Sequence, residues 1–397
     1  MRPDARVRLL IVDDSAVLRH ILSRALRTEP TFEIVGEASN GQRALEFIAR
    51  DVPDLVVLDV VMPVMNGLEA LVEIRKTNPA LPVIMFSSQT EHGASATLDA
   101  LERGASGCVA KPVAGDPDAA CVMTEVLIPK IKALTAAVGS ASRERTGTRA
   151  LARASAVGPA SPAGADRANR TDRAERAPRA APARRPMLRS TPGKPEILVI
   201  GSSTGGPKAL MDVVARLPAN CAVPVLIVQH MPPVFTRQLA ERLDARSALS
   251  VGEARDGIVL EPGAVWVAPG DHHMEVVRDG TRAGLRLHRG PKEQGCRPAV
   301  DVLLCSVAEA YGARTLAVIL TGMGQDGLIG CQRLREANAQ IVVQDEATSV
   351  VWGMPGAVVR EALQDAILPL GDIGQEIVRR LVSPPIRLVN NVARARP

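Results

Sequence analysis

Ser203, His230 and Asp326 are residues whose types and settings could carry nucleophilic chemistry. Ser203 lies in Gly201-Ser202-Ser203-Thr204-Gly205-Gly206, after the apolar run Ile197–Ile200 and before Pro207. Gly201, Ser203 and Gly205 fit G-x-S-x-G, a spacing that lifts a serine hydroxyl clear of the backbone where a strand turns into a helix. A serine is a weak nucleophile until a base takes its proton and an acid orients that base. His230 follows the run Pro224–Val228, and Asp326 follows Leu316–Leu320 within Thr321-Gly322-Met323-Gly324-Gln325-Asp326-Gly327. Glycines 322, 324 and 327 let backbone amides approach a substrate closely, so the amides near Met323 are candidate oxyanion donors. One such donor is worth about 3–4 kcal/mol in a transition state. Singly, each residue has a bland reading: a helix cap, a turn histidine, a turn aspartate. Emergence of all three from one sheet edge favours the triad.

A second constellation is acidic. Asp13 and Asp14 follow the run Val7–Val12, Asp59 follows Leu55–Leu58, and Lys111 follows Gly107–Ala110. Three carboxylates at one edge of a parallel sheet repel one another unless a hard divalent cation joins them, and Mg²⁺ suits carboxylates plus phosphate oxygens. A carboxylate so placed can accept a phosphoryl group, with Lys111 balancing the charge and the Ser87 hydroxyl bonding a phosphoryl oxygen. Two other patterns lead nowhere. Gly201–Lys208 lacks the Lys-Ser/Thr ending of a phosphate loop, and the adjacent His272 and His273 have no third ligand spaced for a metal.

The elements that must position these residues alternate strand and helix, the pattern of a parallel sheet covered on both faces. Strands are expected at Val7–Val12, Glu33–Ala38, Leu55–Leu58, Pro82–Ser87 and Gly107–Ala110, with helices such as Ala16–Thr28 and Gly41–Arg50. The pattern resumes at Ile197–Ile200, Pro224–Val228, Ala264–Ala268, Leu316–Leu320 and Ala339–Val343, with a hairpin within Val265–Leu287 turning at Asp279-Gly280. The fold class is thus α/β twice over. Residues 1–130 form one doubly wound domain, 140–195 a linker, and 196–385 a second doubly wound domain with a small antiparallel hairpin.

The net charge of +5 misleads, because residues 140–195 hold thirteen Lys/Arg against four Asp/Glu and leave the rest of the chain at −4. That segment is rich in Ala, Arg and Pro and has no aromatic residue to stack on bases, so it reads as a solvated tether rather than a nucleic-acid surface. As a flexible coil its ends average on the order of 40 Å apart, a length that lowers the effective concentration of one domain at the other and implies weaker autoinhibition than a short tether would give. The six cysteines show no C-x-x-C pair and read as buried thiols. No apolar run approaches a membrane span and no signal sequence is evident, so a cytoplasmic location is expected.

Val12-Asp13-Asp14-Ser15, Leu58-Asp59-Val60-Val61-Met62-Pro63 and Lys111-Pro112 resemble the receiver domains of response regulators over about residues 6–125. The resemblance implies a flavodoxin-like fold with Asp59 as phosphoacceptor and Mg²⁺ on Asp14, Asp59 and the Val61 carbonyl. Asn66 stands where Asp is common, and Cys108 replaces the aromatic of the usual switch. The triad motifs, with Gln229-His230-Met231-Pro232-Pro233, Arg297-Pro298-Ala299-Val300-Asp301 and Gly353-Met354-Pro355, resemble the chemotaxis protein-glutamate methylesterase/glutaminase family. The order Ser…His…Asp disfavours the α/β-hydrolases, whose order is Ser…Asp…His. Ala299 stands where the family often has Ser, a departure expected to lie away from the chemistry.

This second resemblance implies a Ser203 nucleophile, a His230 base and an Asp326 orienter, with oxyanion contacts from the Thr204 and Met323 backbone and no cofactor for the ester chemistry. It also implies chemoreceptors as substrates, a chemotaxis histidine kinase as phosphodonor, and no nucleic-acid or membrane-inserted partner. The alternatives are an adaptor with a vestigial esterase domain and a DNA-binding response regulator; the acidic, strand-rich second half disfavours the latter.

Overall fold

The structure is a computed structural model, and it describes residues 6–88, 90–112, 122–136 and 193–382. The expected linker 140–195 falls outside these residues except at its last three positions.

The first domain is built on a sheet whose inner strands are buried on both faces, as strands covered by helices must be. β1 (Val7–Val12), β2 (Phe32–Ala38), β3 (Leu55–Asp59), β4 (Val83–Ser87) and β5 (Gly107–Ala110) pair in parallel in the order β2-β1-β3-β4-β5. Around them lie α1 (Ala16–Leu26), α2 (Gly41–Arg50), α3 (Gly67–Thr77), α4 (Glu91–Glu102) and α5 (122–136, opening with a π-helical turn). Local chemistry fixes the helix starts: Ser15, Asn40 and Thr90 cap α1, α2 and α4. Asn66 caps α3 in a reciprocal box with Glu69, so its amide serves the acid's structural role at that turn.

The second domain has a seven-stranded sheet in the order β14-β13-β12-β6-β7-β9-β8, parallel throughout. Its strands are β6 (Ile197–Ser202), β7 (Val225–Gln229), β8 (Ser250–Glu253), β9 (Ala264–Val267), β12 (Thr315–Ile319), β13 (Gln340–Gln344) and β14 (Ala366–Leu368). The helices are α6 (Gly206–Val214), α7 (Pro233–Asp244), α8 (Val300–Tyr311), α9 (Leu328–Glu336), α10 (Met354–Arg360) and α11 (Leu370–Val382). All six residues of β6 are buried, and each of its large aliphatic side chains contributes about 1.5–3 kcal/mol by leaving water.

The antiparallel hairpin is β10 (His273–Asp279) and β11 (Arg282–His288). It begins at His273 rather than Val265, because Val265 pairs in parallel with Val225 in the main sheet. The cysteine expectation also needs correction. Of the five described, Cys221 and Cys331 are buried, while Cys108, Cys296 and Cys305 are partly exposed.

The two domains meet through α4 against α6 and α7. Leu98 and Leu101 of α4 belong to the same apolar cluster as Leu239 and Leu243 of α7, and Val351 and Met323 join the cluster around Leu127 and Ile131 of α5. Ion pairs frame this contact.

Candidate active site

β6 is flanked by β7 on one side and β12 on the other, so strand order reverses there. The crevice beyond the carboxyl ends of such a strand pair is where open α/β sheets bind ligands. Ser203 follows β6, His230 follows β7, and Asp326 lies in the loop after β12.

The turn at Ser203 is fixed by its backbone. The Ser203 amide donates to the Thr321 carbonyl (3.0 Å) and its carbonyl accepts from Gly206 (2.8 Å). Helix α6 is capped by Gly205 at φ 80° with no side-chain cap bond, so Ser203 is not spent as a cap and the bland reading fails. A side chain at Gly205 would be strained by φ and would meet Val350 at 2.6 Å; one at Gly206 would meet Gln229 Oε1 at 2.0 Å. Gln229 braces this turn, accepting from Ser202 Oγ (2.7 Å) and donating to the Ser203 carbonyl (2.9 Å).

His230 Nε2 donates to Asp326 Oδ2 at 2.7 Å. Asp326 also accepts from the amides of Val300 (2.6 Å) and Asp301 (2.8 Å), the first two of α8. These are amides that a helix leaves without internal partners, at the positive end of its dipole. Burial would raise the Asp326 pKa, but His230 and the two amides outweigh it and hold the carboxyl below its usual range. Ala299 is the N-cap of α8 and offers no side-chain cap, so this departure falls beside the triad rather than away from it, with Asp326 supplying the missing acceptor.

His230 is desolvated, which lowers its pKa, yet the Asp326 carboxylate and Cys296 raise it to about 10. With Nε2–H committed to Asp326, the imidazole lone pair of the neutral ring sits on Nδ1. Nδ1 lies 3.6 Å from Cys296 Sγ, and among the described residues no hydrogen bond joins it to Ser203 Oγ. The amides of Thr204 and Met323 donate to no protein acceptor among the described residues, which leaves both open to an oxyanion. The Thr321 hydroxyl donates to the Thr204 carbonyl (2.9 Å) and ties the two donor loops together.

Three residues near the triad carried no role in the sequence reading. Asp301 is buried behind Asp326 and accepts from Gly330 N and Gln294 Nε2, each at 2.8 Å. Burial and the Asp326 charge push its carboxyl up to about 6. Cys296 is carried by a loop that Arg297 holds through Asp271 (2.9 Å) and the Gly290 carbonyl (2.8 Å). Lys130, on α5 of the first domain, donates to the Cys108 carbonyl (2.8 Å), and burial lowers its pKa. A side chain at Gly107 on β5 would meet the Thr204 methyl at 3.5 Å. The first domain therefore covers the candidate oxyanion donors.

In the first domain the order reverses at β1/β3, and there Asp13, Asp14 and Asp59 bring carboxylate oxygens within 4.8 Å of one another. Lys111 Nζ bridges Asp13 and Asp59 at 2.8 Å each. Burial raises the Asp59 pKa against the pull of Lys111. The lysine is itself desolvated, but its bonds to the two carboxylates raise it overall. Ser87 Oγ donates to the Gly93 carbonyl (3.1 Å), which links this pocket to α4.

The chain is similar to known proteins over both domains. The CheB methylesterase family pattern matches residues 198–377, and the response regulator receiver domain pattern matches residues 9–119. The protein-glutamate methylesterase/protein-glutamine glutaminase of Trichodesmium erythraeum is 43% identical over 383 residues, covering 95% of this chain and 99% of that protein. The protein of the same name from a Nocardioides species is 44% identical over 377 residues, 94% of this chain and 95% of its own. The crystal structure of the Thermotoga maritima CheB methylesterase catalytic domain is 43% identical, with a TM-score of 0.46, over 47% of this chain and 98% of that one. The chain belongs to the protein-glutamate methylesterase/protein-glutamine glutaminase family, in the form that joins a response-regulator receiver to a CheB methylesterase domain.

Proposed function

We propose that this protein hydrolyses glutamate methyl esters and deamidates glutamines on the cytoplasmic helices of chemoreceptors, and that phosphorylation of its receiver switches the activity on. One observation carries the reading: an imidazole bound to a buried carboxylate stands at the switch point that also presents Ser203 and two unengaged amides. Residues 1–130 act as the receiver, 140–195 as the tether and 196–385 as the catalytic domain, and the protein works in the cytoplasm.

Ser203 Oγ attacks the γ-carbonyl of the ester while His230 Nδ1 takes its proton. The oxyanion is met by the Thr204 and Met323 amides. His230 returns the proton to the departing methoxide, so methanol leaves and a glutamyl-serine ester remains. Water then attacks that ester, giving up a proton to His230, which passes it to Ser203 Oγ as the glutamic acid departs and loses its remaining proton to solvent. On a glutamine the same sequence releases ammonia.

The acidic pocket suits a hard divalent cation, since three carboxylates converge and a single lysine opposes them. Asp14, Asp59 and the Val61 carbonyl would hold Mg²⁺, which supplies charge neutralisation for phosphoryl transfer from a histidine kinase to Asp59. A phosphoryl oxygen that recruits the Ser87 hydroxyl draws it away from Gly93 and loosens α4 at the domain contact.

The test is methanol release from methylated receptor membranes. Wild type releases methanol and Ser203→Ala does not; equal release by both would leave the adaptor reading standing.

A further inference from the structure

The contact between α4 and α7 is polar in a particular way. On α4, Glu91, Ser95, Asp99 and Glu102 follow i, i+4, i+8, i+11 spacing and form one stripe. Arginines at and just beyond α7 receive it. Arg242 Nη1 meets Asp99 at 2.6 Å and Glu102 at 3.0 Å, and its Nη2 donates to the Ser95 carbonyl at 2.8 Å. Arg246 meets Glu102 at 2.6 Å, Arg237 pairs with Glu91, and Gln238 donates to the Glu91 carbonyl at 2.7 Å. Helix α7 starts at Pro233, three residues after His230, so this arginine row leads away from the catalytic base for about 14 Å between Arg237 and Arg246 at a helical rise.

We propose that this arginine row is the surface that grips the substrate protein, and that α4 occupies it in the closed form as an internal stand-in for an acidic substrate helix. The inference rests on the methylesterase reading above. A protein whose glutamates are the reaction sites carries a carboxylate at every site not esterified, and each turnover adds another. Arginine's planar fork is suited to carboxylates. The row stands out on a chain that is net acidic outside residues 140–195. Its pairs with α4 are half-exposed at the ends, and such ion pairs contribute about 0–1 kcal/mol each, which suits a contact that must be exchanged. Release of the receiver then does two things: it uncovers Ser203 and hands the arginines to the receptor.

The experiment uses the full chain carrying Ser203→Ala, so that binding is read without turnover and the result does not depend on whether the esterase reading is right. The protein is activated with beryllofluoride and Mg²⁺ and sedimented with chemoreceptor membranes. Adding Arg242→Glu and Arg246→Glu is expected to weaken binding on the order of tenfold, with Arg242→Gln and Arg246→Gln giving a smaller loss in the same direction. Asp99→Arg with Glu102→Arg is expected to give tight binding without activation, since the stand-in no longer seats. Receptor binding unchanged in the arginine variants would overturn the proposal and leave the row as a clamp for the receiver alone. Weakened binding in the α4 variant would overturn it too, by placing the receptor contact on the receiver.

Discussion

In the receiver, Asp13, Asp14 and Asp59 stand at the ends of β1 and β3. In the catalytic domain, Ser203 and Asp326 follow β6 and β12. Both pairs flank the point where strand order reverses. The two regions differ in how their carboxylates are held. The receiver gathers three acids around the Lys111 ammonium and leaves Asp14 exposed, a pocket suited to an arriving phosphoryl group. The catalytic domain isolates one acid, Asp326, and fixes it with two helix-terminal amides and an imidazole. On the proposed reading, a group that must be modified is held by exchangeable ion pairs, and a group that must only orient another is held by backbone.

The largest expected effect breaks the fixed side. Asp326→Asn removes the charge that raises the His230 pKa and the acceptor that selects its tautomer, so kcat should fall on the order of 10⁴-fold. The sign of the pH effect follows from the raised pKa. Loss of the carboxylate lowers the His230 value, so the acid limb of the residual rate should move to lower pH; an unmoved limb would remove Asp326 from the triad.

Next is the exchangeable side. Asp59→Asn should keep basal methanol release while abolishing its stimulation by a small-molecule phosphodonor with Mg²⁺, and stimulation that persisted would place the phosphoryl group elsewhere. The smallest effect probes the acid behind the triad. Asp301 titrates near 6, next to Asp326, so above that pH its charge adds to the field on His230. The titratable groups facing it are Asp326, Cys305 and Cys331. Asp301→Asn should cost about tenfold in kcat and reduce a two-proton acid limb to one. A tenfold loss with an unchanged limb would make Asp301 a packing residue only.

Much of this was legible in the chain because strand ends are. Apolar runs such as Ile197–Ile200 and Leu55–Leu58 announce buried parallel strands, and the residues after them fall at one edge by geometry. Gln229 and Asp301 stayed unassigned because their roles depend on partners far along the chain: Gln229 meets Ser202 across neighbouring strands, and Asp301 meets Gly330 across two helices. The hairpin start was misplaced because Ala264–Val267 and His273–Asp279 both read locally as strands, and only pairing with Val225 assigns the first to the main sheet. The acidic stripe of α4 reads in sequence as an ordinary solvated face. Nothing local reveals that arginines from 140 residues later meet it.

The central claim is that the two switch-point sites are coupled, so that filling one uncovers the other. It is tested most directly by the rate of methanol release from methylated receptor membranes by one preparation of the wild-type chain, with and without acetyl phosphate and Mg²⁺. The account predicts a rate that rises several-fold on phosphorylation and returns as the phosphoryl group is lost. Equal rates in the two states would contradict it.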